Sequence, residues 1–296
     1  MSEIDEADLT FFSANSATGP THKRITAYVV KPRVICNNTG LMHFAHGWSC
    51  NRMMYADMMR DFAAHYNLVC VATEFRQSGF DFDQQIGFGY SRPYDASHWQ
   101  VFDCLNAVRT VLNWLPGIDR QRLISFGVSQ GGHVAALMAL FCPNTFAFLI
   151  DGCGISHFDE LRIEWAGRDF SAAELAARDV VAMASRFRCP VALIHGTADQ
   201  TLPMIHTEKL EAALREAKAT VRVQYIEGGD HGFAPASNYH QAAKAIADDW
   251  LSELRSPLRD DFTQQTVLRI PCADKTLVVD WTKAITDPQQ VRWETA

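Results

Sequence analysis

Arg122-Leu123-Ile124-Ser125-Phe126-Gly127-Val128-Ser129-Gln130-Gly131-Gly132-His133-Val134 decides the reading of this chain. Arg122 to Phe126 reads as a short buried strand, and Gln130 to Phe141 reads as a helix with scarcely a polar face. Between them stands a serine flanked at two residues' distance by glycines. A turn this sharp between strand and helix has no room for side chains at the flanking positions, and it lifts the serine hydroxyl clear of the sheet. Ser129 is therefore the candidate nucleophile. The pentapeptide alone is a common pattern; its place between strand and helix gives it weight.

Outward from this point the chain alternates. Ile25 to Val30 is an early strand candidate, followed by Leu41 to Ala45, a helix over Tyr55 to His65, and the apolar strand Leu68 to Thr73. Trp99 to Leu115 has helical spacing and is stopped by Pro116-Gly117. After the serine come strands at Phe146 to Ile150, Val191 to Ile194 and Val221 to Ile226, and helices at His206 to Ala217 and Tyr239 to Leu254. Such an order predicts an α/β fold, a mostly parallel sheet with helices on both faces. Three units are expected: an N-terminal extension over 1–24, a main domain over 25–255 with a small helical cap inserted at about 152–188, and a C-terminal extension over 256–296. The last carries two strand-like runs, Thr266 to Ile270 and Thr276 to Val279, read as a β-hairpin appendage packed on the same domain.

A serine hydroxyl is a weak nucleophile at neutral pH and needs a base, itself oriented by a carboxylate. His231, in Gly228-Gly229-Asp230-His231-Gly232, follows one strand; Asp199, in His195-Gly196-Thr197-Ala198-Asp199, follows another. Both fall at the carboxyl ends of strands, where open α/β sheets build their sites. Asp151, just after the Phe146 to Ile150 run, is the rival acid. The backbone N–H groups of Trp48 and Gln130 are the expected oxyanion donors, with His46 as a structural hydrogen-bonding group in the same loop. Met53, Tyr55, Phe82 and Tyr90 are the expected substrate-binding side chains, and Arg76 or Arg92 could meet a substrate carboxylate or simply form a structural salt bridge. No histidine pair has metal-binding spacing, so no metal and no cofactor are expected.

Composition narrows the function class. Across 296 residues, 48% are hydrophobic and 21% charged, the balance of an ordinary folded enzyme rather than a disordered chain. The net charge of −7, with Lys and Arg scattered, argues against a nucleic-acid or membrane partner. The acidic start (Glu3, Asp5, Glu6, Asp8) lacks the basic and apolar regions of a secretory signal, and the eight cysteines form no C-x-x-C pair. A cytoplasmic protein with free thiols, monomer or homodimer, is the expectation.

On Ser129, Asp199, His231 and the His46-Gly47-Trp48 segment, in the order Ser, Asp, His, the chain over roughly 25–255 resembles the α/β-hydrolase superfamily. Its tone is that of the prolyl-oligopeptidase-like, acetyl-esterase-like and dienelactone-hydrolase-like branches. The stretch Glu74-Phe75-Arg76-Gln77-Ser78-Gly79 looks like the D-x-R-G-x-G loop of those branches, with departures at Glu74 and Gln77. Those departures and the Ser91 to Asp95 segment are similar to a bacterial hydrolase group of unknown function. The resemblance implies a serine hydrolase acting on a small-molecule ester or a short peptide. A carboxylesterase is the leading expectation, an aminopeptidase or oligopeptidase-like amide hydrolase the alternative, and a non-catalytic binding protein on the same fold the remote one.

Overall fold

The computed structural model describes residues 3–14 and 22–295, and two β-sheets organise them. In chain order the strands are β1 (Ile4–Ala14), β2 (His22–Pro32), β3 (Gly40–Ala45), β4 (Leu68–Thr73), β5 (Leu123–Val128), β6 (Phe148–Gly152), β7 (Val191–Gly196), β8 (Val221–Ile226), β9 (Val267–Cys272), β10 (Lys275–Asp280) and β11 (Val291–Thr295). The helices are α1 (Ala56–Tyr66), α2 (Gly79–Phe82), α3 (Trp99–Trp114), α4 (Gln130–Phe141), α5 (Glu160–Ala166), α6 (Ala172–Ala176), α7 (Ile205–Glu216), α8 (Tyr239–Glu253) and α9 (Asp261–Gln264).

The large sheet has the order β1-β2-β4-β3-β5-β6-β7-β8. From β4 to β8 every neighbouring pair is parallel, while β1 and β2 run antiparallel at one edge. Strands β3, β4, β5, β6 and β7 are buried along their whole length, which is why they read as mostly apolar runs rather than alternating ones. Successive residues serve opposite faces: Leu41, Val69 and Leu123 pack with α3 and α4, whereas Met42, Cys70 and Ile124 pack with α1 and α8. The sheet is thus covered on both sides, and its β5-to-α4 turn lies near the middle.

Ile25 to Val30 is not the start of the folded chain, because β1 precedes it. The acidic residues that make Ile4–Ala14 look like a solvated tail are all paired. Asp5 meets Lys31 at 3.0 Å, Glu6 meets Arg60 at 2.7 Å, Asp8 meets Arg52 at 3.0 Å, and Glu3 pairs with Arg33. Arg60 and Tyr28 hold the Glu6 carboxyl down at about 2. Such exposed pairs are individually weak, but they fix the register of an edge strand that few apolar contacts would fix.

The C-terminal region forms a three-stranded antiparallel sheet, β11-β10-β9, one strand more than the expected hairpin. It packs into the same core as α3 and α4 through Ile270, Leu277, Val279 and Trp281. Trp281 is fully buried, and its Nε1 donates to the carbonyl of Phe141, the last residue of α4, at 3.0 Å. Between β6 and β7 the expected cap consists of α5, α6 and a 3-10 turn at Ala184–Arg186. Arg178, fully buried, ties it down: its guanidinium donates to the carbonyls of Ala96 (2.7 Å), Glu174 (2.8 Å) and Asp95 (3.0 Å). No helix among the described residues is long and apolar enough to cross a membrane.

Candidate active site

Ser129 stands where β5 ends and α4 begins, with φ 62° and ψ −124°. This is a strained backbone for any residue but glycine, and such strain persists only where the surroundings enforce it. They do so here. The Ser129 N–H is held by the Gly152 carbonyl at the end of β6, 2.8 Å away. A Cβ on Gly127 would collide with the Gly131 carbonyl, and one on Gly131 would collide with the carbonyl of Ala45 at the end of β3. The glycines are required by close backbone approach on both sides of the serine.

His231 lies in the loop after β8, part exposed, and its Nδ1–H donates to Asp199 Oδ2 at 2.7 Å. That bond fixes the tautomer and leaves the Nε2 lone pair free. Asp199 is held from every side. Thr201 and Leu202 donate their backbone N–H groups to Oδ1 at 2.8 and 3.0 Å, and His195 Nε2 approaches Oδ2 at 3.3 Å. Burial opposes the charge on Asp199, but His195, His231 and the Leu202 N–H outweigh it and keep the carboxyl well below its usual range. His195 is thus part of this support. Its Nδ1 accepts from Thr207 Oγ1 (2.7 Å) while Nε2–H faces the Leu202 carbonyl (3.0 Å) and Asp199.

The rival acid, Asp151, does not reach His231. It sits beneath the start of α4 against Gly132 and Gly154, and burial pushes its carboxyl up to about 7. Among the described residues its Oδ1 has no hydrogen-bond partner.

His46 has the structural role expected of it. Its Nε2 accepts the Phe75 N–H at 3.1 Å, so Nδ1 carries the proton and donates to the Gly47 carbonyl at 2.9 Å. Burial lowers its pKa to about 4, so it stays neutral. The loop it braces presents Trp48, and among the described residues neither the Trp48 nor the Gln130 backbone N–H has a protein acceptor. The Gln130 side chain is anchored separately, accepting from the Tyr94 hydroxyl (3.2 Å) and donating to Gln100 (2.8 Å).

Ser129 and His231 line one pocket of about 510 Å3, together with Gly47, Trp48, Met54, Tyr90, Arg92, Trp165, Thr201 and Tyr239. Of the four substrate-binding side chains expected from sequence, Tyr90 lines it and three do not. Met53 packs on the core that includes α1 and does not line the pocket; its neighbour Met54, packed on the same core, does. Tyr55 is buried against Phe44, Phe126 and Tyr239. Phe82 lies at the end of α2 over Gly89, half exposed and away from the pocket. Trp165, Thr201 and Tyr239 come from the cap, the acid loop and the start of α8. Tryptophan in a cap sequence was the one available signal among them.

Trp48 is the centre of the aromatic wall, with ring centroids 4.8 Å from Tyr94, 5.6 Å from Tyr90 and 5.7 Å from Trp165. Arg162 links the cap to the acid loop by donating to the Thr201 carbonyl at 3.2 Å. Arg76 is structural: its guanidinium makes two 2.7 Å bonds to the buried Asp103. One convergent set of metal-type ligands exists among the described residues, Cys153 with Asp199 and His231. Burial pushes the Cys153 thiol well up, its Sγ–H points to the His231 carbonyl at 3.4 Å, and the other two atoms are committed to each other. Asp199 and His231 are thus engaged with each other rather than open to an ion.

The chain is 28% identical over 186 residues to the uncharacterised protein YfhR of Escherichia coli, covering 57% of this chain and 58% of that one. It is 26% identical over 148 residues to the uncharacterised peptidase YtmA of Bacillus subtilis, covering 46% and 57%. Among solved structures, the acylaminoacyl peptidase of Pyrococcus horikoshii superposes with a TM-score of 0.68 at 18% identity, over 86% of this chain and 43% of that one. A puromycin-hydrolysing peptidase of Mycobacterium tuberculosis gives 0.63 at 20%, over 83% and 39%. The chain therefore spans little more than half the length of these curated relatives and less than half of those solved structures. The prolyl oligopeptidase family model matches residues 87–255, from the loop that carries Tyr90 through the Ser129 turn and the Asp199 and His231 loops to the end of α8. By that match, over more than half its length, this chain belongs to the prolyl oligopeptidase family of α/β-hydrolase-fold proteins.

Proposed function

We propose that this chain is a serine hydrolase of the prolyl oligopeptidase type that cleaves amide bonds in short peptides through an acyl-enzyme on Ser129. The observation that carries the reading is a strained serine sharing a pocket with a histidine whose Nδ1–H is bound by a buried, ionised carboxylate. Ser129 Oγ attacks the acyl carbon while His231 Nε2 takes its proton; Asp199 stabilises the imidazolium that forms. The oxyanion that develops is met by the Trp48 and Gln130 N–H groups, which give up no protein hydrogen bond to do so. His231 then passes the proton to the leaving amine, and water releases the acyl group under the same base.

Family membership, and neighbours that are themselves named peptidases, favour the amide reading over the ester reading that leads on sequence. Ester turnover would accompany it, since an alcohol leaves the tetrahedral intermediate more readily than an amine does. A fluorophosphonate probe tests the whole reading: the wild-type protein is expected to be labelled and Ser129→Ala is not. An unlabelled wild type would leave a binding protein on a hydrolase fold, and equal labelling of the variant would place the reactive group elsewhere than Ser129. Turnover of N-blocked aminoacyl anilides set against p-nitrophenyl acetate and butyrate then ranks amide against ester.

A further inference from the structure

Resting on that reading, we propose that Arg92 is a specificity-determining residue that selects substrates carrying a carboxylate. Arg92 lines the same pocket as Ser129 and His231. It is exposed, and among the described residues it forms no ion pair. Its guanidinium is nevertheless held in place. Nη2 donates to the Tyr90 hydroxyl at 2.9 Å, and the group lies 5.6 Å from the Tyr90 ring centroid. Its aliphatic stem rests on Gly167, the left-handed residue (φ 64°) that ends α5; a Cβ there would come within 2.7 Å of Arg92 Cδ. The cap and the Tyr90 loop thus hold a long side chain that would otherwise sample many rotamers, lowering the entropy lost when it binds.

The charge balance of the pocket points the same way. Among the described residues no aspartate or glutamate lines it, and Arg92 is the one permanent charge there. A substrate carboxylate would find a planar, two-pronged donor against aromatic walls formed by Trp48, Tyr90 and Trp165. A free substrate ammonium would find no counter-charge and would be repelled. The alternative set out from sequence therefore divides: a peptidase that grips a free amino terminus is disfavoured, and one acting on N-blocked or acidic substrates is favoured. Arg76, weighed equally with Arg92 on sequence, is excluded by its pairing with Asp103.

The carboxylate could lie on the leaving side, as a peptide C-terminus, or on the acyl side, and two matched substrate pairs separate these. One pair is N-benzyloxycarbonyl-Ala-Ala with a free C-terminus against its C-terminal amide; the other is N-succinyl-Ala p-nitroanilide against N-acetyl-Ala p-nitroanilide. In one pair the carboxylate member is expected to have the higher kcat/KM by about tenfold, mainly through KM, with the ratio shrinking at about 0.5 M salt. Arg92→Gln should bring that ratio to near one, Arg92→Lys should restore part of it, and Arg92→Glu should invert it. Thermal melts and circular dichroism establish that each variant is folded. A wild type that is labelled by the fluorophosphonate and turns over the neutral members without preferring either carboxylate refutes the inference and leaves the hydrolase reading standing. So does an Arg92→Gln variant that keeps the full preference. Absence of labelling in the wild type sinks both.

Discussion

The two ends of α4 are built by opposite means. At its start the backbone is strained at Ser129, glycines are forced by close approach, and the Gln130 N–H has no protein acceptor among the described residues. At its end the polar groups are consumed by packing. The Phe141 carbonyl takes the Trp281 indole N–H, and the buried Asp261 accepts from the Asn144 N–H (2.8 Å), Asn144 Nδ2 (3.1 Å) and the Thr145 hydroxyl (2.9 Å). All twelve residues between are buried. A helix held rigidly at one end can keep the other end strained, and unpaired donors are tolerated only where something else is to meet them. The C-terminal sheet, which the family match does not reach, thus braces the helix that carries the candidate nucleophile.

The sharpest way to break this contrast is at the site end. Asp199→Asn should keep the fold, because Thr201 and Leu202 can still donate to the remaining oxygen. It should lower kcat by about four orders of magnitude, since the amide presents the wrong group to His231 Nδ1. Burst and steady-state kinetics on one anilide measure it; a loss of less than about tenfold would point to a different acid. At the braced end the effect should fall on stability instead. Trp281→Ala empties a fully buried site and should cost about 3–5 kcal/mol in urea unfolding. The kcat of the molecules that remain folded should change by no more than a few-fold. A large kcat loss with unchanged stability would reverse the assignment of roles to the two ends.

The smallest expected effect comes from Asp151, beneath the first turn of α4. Its carboxyl is pushed up to about 7 in the folded protein and ionises near 4 in the unfolded chain. Between those values the folded state keeps a proton that the unfolded state releases. The stability contributed by the neutral form is therefore complete below about pH 4 and is lost as pH rises through about 7. Wild type should lose about 2 kcal/mol relative to Asp151→Asn between about pH 5 and pH 7, read from paired urea melts. Parallel pH profiles for the two proteins would remove Asp151 from the account.

Legibility along the chain followed the source of the ordering energy. Strands β4 and β8 fall on the residues expected, because Leu68–Thr73 and Val221–Ile226 are bounded by polar neighbours and need no distant partner to be recognised. Strand β1 did not, because Asp5, Glu6 and Asp8 look solvated until Lys31, Arg60 and Arg52 are brought beside them. Strand β11 was missed for a related reason: Val291–Thr295 is a short, half-polar run whose order comes from pairing with β10. Tyr90 was found among the pocket residues and Met53, Tyr55 and Phe82 were misplaced, since a loop sequence does not say which of its apolar side chains turns inward.

By itself, the sequence determined the α/β architecture and the residues proposed for chemistry. Both depend on local rules: the period of apolar residues, and the glycines that a strained turn demands around Ser129. Tertiary structure alone decided that Asp199 rather than Asp151 faces His231, that His195 stands behind it, and that Arg92 lines the pocket without an ion pair among the described residues while Arg76 is paired with Asp103. These are questions of which groups meet across distant segments, and burial and hydrogen-bond partners that set the charge and direction of a side chain exist only once those segments have packed.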